Sequence, residues 1–184
     1  ILHKNRDYDI SVQSIFLKKL PSSLKYLGSI EVGGNLGVAY FLNDAGLSGA
    51  SNTGSPQGEA KESNVGFNEH LTMRLLAENA HSCEDVLNLF QKLHKRGIFA
   101  STDNRGSIYL FADRDRGLVI EATNKVMEHK WVEDAFLVRS NHFLLGKLAD
   151  SGDESSEHRL AQATELIKAS EGEITAFLFN RVSR

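Results

Sequence analysis

Of the side chains able to attack a carbonyl as a strong nucleophile, the sequence offers a single thiol, Cys83. It sits beside Ser82 at the start of a helix-forming run whose apolar residues are needed for packing, so a structural use is the expectation for it. One cysteine also excludes an internal disulfide and any cysteine-cluster zinc site. The seven histidines fall into no HExxH spacing, and neither GxxxxGK[ST] nor GxGxxG occurs. Zinc-peptidase and nucleotide-loop chemistry therefore lose their usual entry points, and no metal or cofactor is expected. The pairs Glu128/His129 and His142/His158 read as surface or hydrogen-bonded histidines. Among the many amides, acids and cations that remain are Lys4, Asn5, Arg6 and Asp7 in sequence, then Asn52, Asn141 and Arg159. Each has an ordinary use when taken alone. Asp7 suits a turn, Asn52 an Asx turn, Asn141 a strand end, and Arg159 a solvated helix face.

These residues must be positioned by the elements around them, and the hydropathy pattern supplies those elements. On an extended strand, alternation puts Asn5 and Asp7 on one face and Lys4 and Arg6 on the other, leaving open which cation faces a site. Ser29-Ile30-Glu31-Val32, a Gly33-Gly34-Asn35 turn and Leu36 to Leu42 read as a hairpin. Asn43-Asp44-Ala45-Gly46 makes the next turn, followed by a short small-residue strand, Leu47 to Asn52. The Gly, Ser, Asn and Glu content of 53–67, with Pro56, predicts an exposed loop. Leu71, Leu75 and Leu76 mark a first helix. Ser82 and Asp85 read as a capping box for a second, lined by Val86, Leu87, Phe90 and Leu93 and ended by Gly97, and both helices are expected to pack on a sheet.

Ser107 to Ala112 and Leu118 to Ala122 flank a charged turn, Asp113 to Gly117, and predict a second hairpin. Further strands are expected at Lys125–Trp131 and Ala135–Asn141. A Gly/Asp/Ser-rich stretch then leads to a helix from Glu157 to Ala169. Strands, helices, strands, helix is not the alternation of a parallel sheet, so the class is α+β with mostly antiparallel sheets and helices on their outer faces.

The bulk properties agree with one ordinary domain. At 184 residues, with 41% hydrophobic and 24% charged, the chain has the balance of a globular protein. No apolar run is long enough to cross a bilayer. A formal net charge of −3, with dispersed basic residues, gives no footprint for a nucleic-acid backbone. The lone thiol is compatible with a reducing compartment, and a cytoplasmic location is expected.

Read in order, Lys4-Asn5-Arg6-Asp7, Asp44-Ala45-Gly46-Leu47 with Ser51-Asn52, Arg74 to Ala80, Asp115-Arg116-Gly117 with Ile120-Glu121, Ser140-Asn141-His142-Phe143, and Ser156 with Arg159 resemble the N-terminal-nucleophile hydrolases. The closer resemblance is to the branch acting on linear amide carbon–nitrogen bonds: choloylglycine hydrolases, penicillin V acylases and acyl-coenzyme A:6-aminopenicillanic acid acyltransferases. It covers nearly the whole chain and implies a four-layer αββα sandwich of two mostly antiparallel sheets with outer helices.

It also implies a chemistry. An N-terminal cysteine attacks the amide carbon while its own α-amino group, titrating near neutrality, takes the thiol proton, giving an acyl-enzyme. The resemblance makes Asp7 the contact of that amino group, Asn52 and Asn141 oxyanion donors, and Arg159 the late arginine bordering the nucleophile. Lys4 stands where the family usually has Arg, keeping the charge without the planar donor fork. Lys4 and Arg6 are the candidate substrate-binding cations. Neutral amide donors suit an oxyanion, because they stabilise developing charge without trapping a ground-state carboxylate.

Ile1 is not a nucleophile, and the family's cysteine falls about ten residues ahead of the Arg-Asn-x-Asp strand, hence before this chain. Residues 1–184 are accordingly expected to be a single domain of this type, lacking the nucleophile segment and the last C-terminal strands. The implied partner is a small-molecule amide, with neither nucleic acid nor membrane, and the resemblance implies a homo-oligomer. The alternative is a catalytically inactive domain of the same fold that binds a small acyl ligand or a protein partner; a thiol immediately upstream discriminates the two.

Overall fold

A computed structural model describes residues 2, 4, 13–19, 21–31, 37–56, 67–98, 105–133, 136–150 and 152–170. Arg6 and Asp7, the Gly33-Gly34-Asn35 turn and most of the 53–67 stretch lie outside the described residues.

Among the described residues seven strands run β1 (Gln13–Lys18), β2 (Tyr26–Glu31), β3 (Tyr40–Asn43), β4 (Ser48–Pro56), β5 (Arg105–Ala112), β6 (Gly117–Ala122) and β7 (Met127–Val132). They form one antiparallel sheet in chain order, each strand paired with the next. The helices described are α1 (Glu69–Asn79), α2 (Cys83–Lys95) and α3 (Glu154–Ala169), with a 3-10 turn at Gly146–Leu148. The chain is therefore α+β and antiparallel, as its element order implies; the second sheet of a sandwich is not among the described residues.

Alternation along the strands divides the sheet into two faces. On one, Tyr26, Phe41, Tyr109, Phe111, Leu118 and Ile120 meet Met73 and Leu76 of α1 and Val86, Leu87 and Phe90 of α2 in the main core. On the other, Ile108 and Val119 meet Phe143 and Leu148 in a smaller cluster under the segment that follows β7.

At four places the structure refines or corrects the local expectations. The first is α1, which forms as expected; it buries Thr72, Met73, Leu76 and Ala77, while Leu71 and Leu75 are half-buried. Its orientation is set by contacts at both ends. The Val38 amide donates to His70 O (3.0 Å), and the buried Asn43 Nδ2 donates to Ala77 O and Ala80 O (3.3 and 2.8 Å). Small residues on the inner face then let the helix lie close to β3 and β4. Secondly, the first residues of the loop expected over 53–67 are strand, because β4 continues to Pro56 against Arg105, with a register shift between Thr53 and Pro56. Thirdly, α3 starts at Glu154, three residues early, because Asp153 caps it by accepting from the Ser156 amide (2.7 Å).

The fourth is the strand expected at Ala135–Asn141. Residues 136–140 join no ladder; Ser140 O accepts from the Asn52 side chain (3.5 Å) and Arg139 Nε donates to Glu121 Oε1 (2.7 Å).

The second helix shows how capping chemistry links to the sheet. Ser82 Oγ accepts from the Asp85 amide (3.2 Å), while the Asp85 carboxylate reaches back one residue further than expected, to the His81 amide (3.0 Å). Gly97, at φ 65°, ends the turn beyond the helix. The first helical amide, Cys83 N, is taken by Asp113 Oδ2 (2.8 Å) from the β5–β6 turn, whose Oδ1 accepts from Asp115 N and Arg116 N (2.9 and 3.0 Å).

Burial alone would raise the Asp113 carboxyl, but these backbone N–H groups outweigh it and hold the group below its usual value. A depressed folded pKa contributes stability that is complete above the unfolded pKa and is lost as pH falls through the folded one. Asp113→Ala is therefore expected to lower the unfolding free energy by about 1–2 kcal/mol near neutrality. The gap should close well below the carboxylate range. Denaturant melts at the two pH values check this, and an undiminished gap in acid would assign the loss to packing instead.

Candidate active site

The site forms where β4 meets the segment following β7, on the sheet face opposite α1 and α2. Register places Asn52 opposite Ile108, and Ile108 opposite Glu121, so these three side chains share that face. Glu121 is fully buried there. Its Oε1 accepts from Arg139 Nε (2.7 Å) and its Oε2 from the amides of Leu144 and Leu145 (2.8 Å each), which pins both ends of the 139–145 segment to β6. Phe143 completes the anchorage by seating its ring over Gly54 and Gly106, where a Cβ at either position would run into it.

Between these anchors the two asparagines reach across to one another's segments. Asn141 Nδ2 donates to Thr53 O (3.0 Å), and Asn52 Nδ2 donates to Ser140 O at 3.5 Å. Each amide oxygen accepts from a cation: Arg159 Nη1 donates to Asn141 Oδ1 (3.0 Å), and Lys4 Nζ donates to Asn52 Oδ1 as well as to Ser51 O. A cation on the amide oxygen polarises the group and strengthens its N–H bonds as donors. The arrangement is thus two polarised primary amides, side by side and half-buried, suited to hold an anionic oxygen.

Of the residues singled out from sequence, Lys4, Asn52, Asn141 and Arg159 are brought together, although Asn52 and Ser140 are 88 positions apart. Lys4 is the cation placed there; Arg6 and Asp7 lie outside the described residues. Glu121, Arg139, Phe143 and Ser156 received no individual role from sequence reasoning. A signal for two of them existed: Glu121 interrupts the apolar run Leu118 to Ala122 at a position that alternation sends to the Val119 face, and Arg139 follows Phe136, Leu137 and Val138. An isolated charge inside an apolar run needs a buried partner. Among the described residues no group of three or more His, Cys, Asp or Glu side chains gathers to hold a metal.

Cys83 is elsewhere, buried at the start of α2 on the opposite face of the sheet, its Sγ donating to Arg116 O (3.6 Å). Burial, reinforced by the charge of Asp113, pushes its thiol up to about 12. At neutral pH the group is held as the protonated thiol, which is the poorly nucleophilic form.

The profile of the family described as acyl-coenzyme A:6-aminopenicillanic acid acyl-transferase matches residues 1–182. Comparison with curated proteins by sequence gives no match. Among solved structures, the N-acylethanolamine-hydrolyzing acid amidase ortholog of Caenorhabditis elegans superimposes with a TM-score of 0.68 at 14% identity, over 97% of this chain and 78% of that one. A variant conjugated bile acid hydrolase from Clostridium perfringens gives 0.59 at 15% identity, over 97% and 73%. Penicillin V acylase from Agrobacterium tumefaciens gives 0.54 at 13% identity, over 88% of this chain and 58% of that one. At these identities the likeness is one of fold.

Proposed function

Because the chain belongs to the acyl-coenzyme A:6-aminopenicillanic acid acyl-transferase family, we propose that it acts on linear amide carbon–nitrogen bonds, as a hydrolase or acyltransferase working through an acyl-enzyme. The observation that carries this reading is that Asn52 and Asn141 each bond the backbone beside the other, each with its amide oxygen held by a cation.

The nucleophile in this reading is a cysteine preceding Ile1. The ground is chemical: the thiol within the 184 residues is inert and lies on the wrong face of the sheet. Attack of that upstream sulfur on the amide carbon forms the C–S bond and moves the carbonyl π pair onto oxygen. The cysteine's α-amino group takes the thiol proton and returns it to the leaving amine as the C–N bond breaks. The N–H groups of Asn52 and Asn141 receive the oxyanion, Arg159 orients Asn141, and Lys4 orients Asn52. Asp7 holds the α-ammonium. Water or a second amine then takes the acyl group from the thioester.

The four-layer arrangement belongs to the same proposal. Ile15, Leu17, Leu27 and Leu42 are 48–72% exposed on the face that carries the site, with Leu17, Leu27 and Leu42 in one cross-strand row. Ile15, Leu27 and Leu42 border a groove of about 460 Å³ that Lys4 also lines. A contiguous apolar strip of this kind suits a second sheet packed upon it.

The test uses the full-length protein with acyl-amide substrates, quenched during turnover for peptide mass spectrometry. The acyl mass is expected on a cysteine that precedes Ile1, and Cys83→Ser should turn over at nearly the normal rate. An acyl adduct on Cys83 would overturn the mechanism. Amides bound without any turnover would favour an inactive acyl-binding domain.

A further inference from the structure

Asn141 has no sheet ladder to hold it, yet an oxyanion donor must be aimed closely, since a misplacement of about 1 Å can cost a hundredfold in rate. Its backbone is held by a hydroxyl. Asn141 N donates to Ser156 Oγ (2.9 Å), and the same oxygen lies 2.9 Å from Ser140 Oγ and 2.8 Å from His142 Nδ1. Ser140 Oγ and His142 Nδ1 are themselves 3.2 Å apart. Ser140, His142 and Ser156 are all buried, at 5%, 4% and 1% exposure.

A hydroxyl has one hydrogen and two lone pairs. At Ser156 one lone pair takes the Asn141 amide, and the remaining pair and hydrogen are divided between Ser140 and His142. Its capacity is filled by three consecutive residues of the site segment. Ser156 is itself fixed, because its amide is bonded to the capping Asp153 (2.7 Å). Arg159 lies three residues further along α3, on the same face, and holds the Asn141 side-chain oxygen. One face of α3 thus grips Asn141 at its backbone N–H and at its amide oxygen.

We infer that Ser156 is a positioning residue for the oxyanion donor, acting on catalysis through Asn141 alone. This rests on the amide-bond reading proposed above. The test is a double-mutant cycle in the full-length protein, following kcat and KM on one amide substrate. Ser156→Ala is expected to lower kcat about tenfold or more with KM within about twofold of normal. In an Asn141→Ala background the same change should cost nothing further. An equal fall in both backgrounds would make Ser156 a general structural residue and overturn the inference, as would an unchanged kcat in Ser156→Ala. Should that variant fail to fold, Ser156→Cys keeps the shape with a weaker acceptor; its kcat should also fall only when Asn141 is present. Full turnover by Asn141→Ala alone would take the donor role from Asn141 and overturn the inference, whereas the absence of amide turnover in the unmodified full-length protein would be the distinct failure of the amide-bond reading.

Discussion

Asn141→Ala in the full-length protein is expected to lower turnover about a hundredfold or more, the usual cost of one oxyanion donor, with the protein still folded. Three bonds bear on this expectation. The amide gives a hydrogen bond to Thr53 O and receives one from Arg159, and the backbone N–H of Asn141, which the mutation leaves intact, stays on Ser156. Loss of the Thr53 bond, part-buried between two segments, costs about 1 kcal/mol of stability. The kinetic loss therefore outweighs the structural one. Asn141→Asp sharpens the contrast: it preserves the shape but replaces the N–H donor with a second acceptor, so it should be at least as inactive. Steady-state kinetics beside thermal melts decide the matter. Near-normal turnover in Asn141→Ala would transfer the role to Asn52.

The second large effect concerns stability and lies beneath the site. Glu121→Ala is expected to lower the unfolding free energy by about 3–5 kcal/mol, because it strands the Arg139 guanidinium, whose side chain is only 7% exposed, along with the amides of Leu144 and Leu145. Removing both charges is expected to cost less than removing one: in Glu121→Leu with Arg139→Met, apolar side chains fill the space without a buried charge. Urea denaturation of the single and double variants measures the difference. A double variant as unstable as the sum of its singles would show that the two charges are not coupled. The same substitution frees the segment that carries Asn141, so residual turnover in Glu121→Ala should fall even at temperatures where it remains folded.

These two predictions describe a division of labour along one segment. Residues 139–145 form neither helix nor strand, and their conformation is dictated by partners from β4, β6 and α3. A reactive group on such a segment is well aimed only if the surrounding shell is complete, which is why the ion pair, the Phe143 seat and the Ser156 hydroxyl all converge there. Cys83 shows the converse. A thiol placed among α2, Asp113 and Arg116 is well packed, and that same packing removes its reactivity.

What the sequence determined by itself was the chemistry of short stretches. Ser82 followed by Asp85 announces the start of α2, Gly97 its end, and the Asp113–Gly117 turn between two apolar runs announces the β5–β6 hairpin, because caps and turns depend on residues within four or five positions of each other. The α+β class followed from the order of those stretches, and the order of short motifs pointed to Lys4, Asn52, Asn141 and Arg159. Tertiary structure decided the rest. Leucine spacing alone could not give the buried face of α1, since Asn43 and the 37–39 backbone clamp that helix from outside its own sequence. An apolar run at 135–141 could not reveal that it joins no ladder, because its hydrogen bonds go to Ser156 and its one charge, Arg139, goes to Glu121. The pairing of Asn52 with Asn141 spans nearly half the chain, and no local rule relates two such residues. Their meeting follows from which faces of β4, β6 and α3 bury together, a free energy summed over the whole core rather than written in any one window.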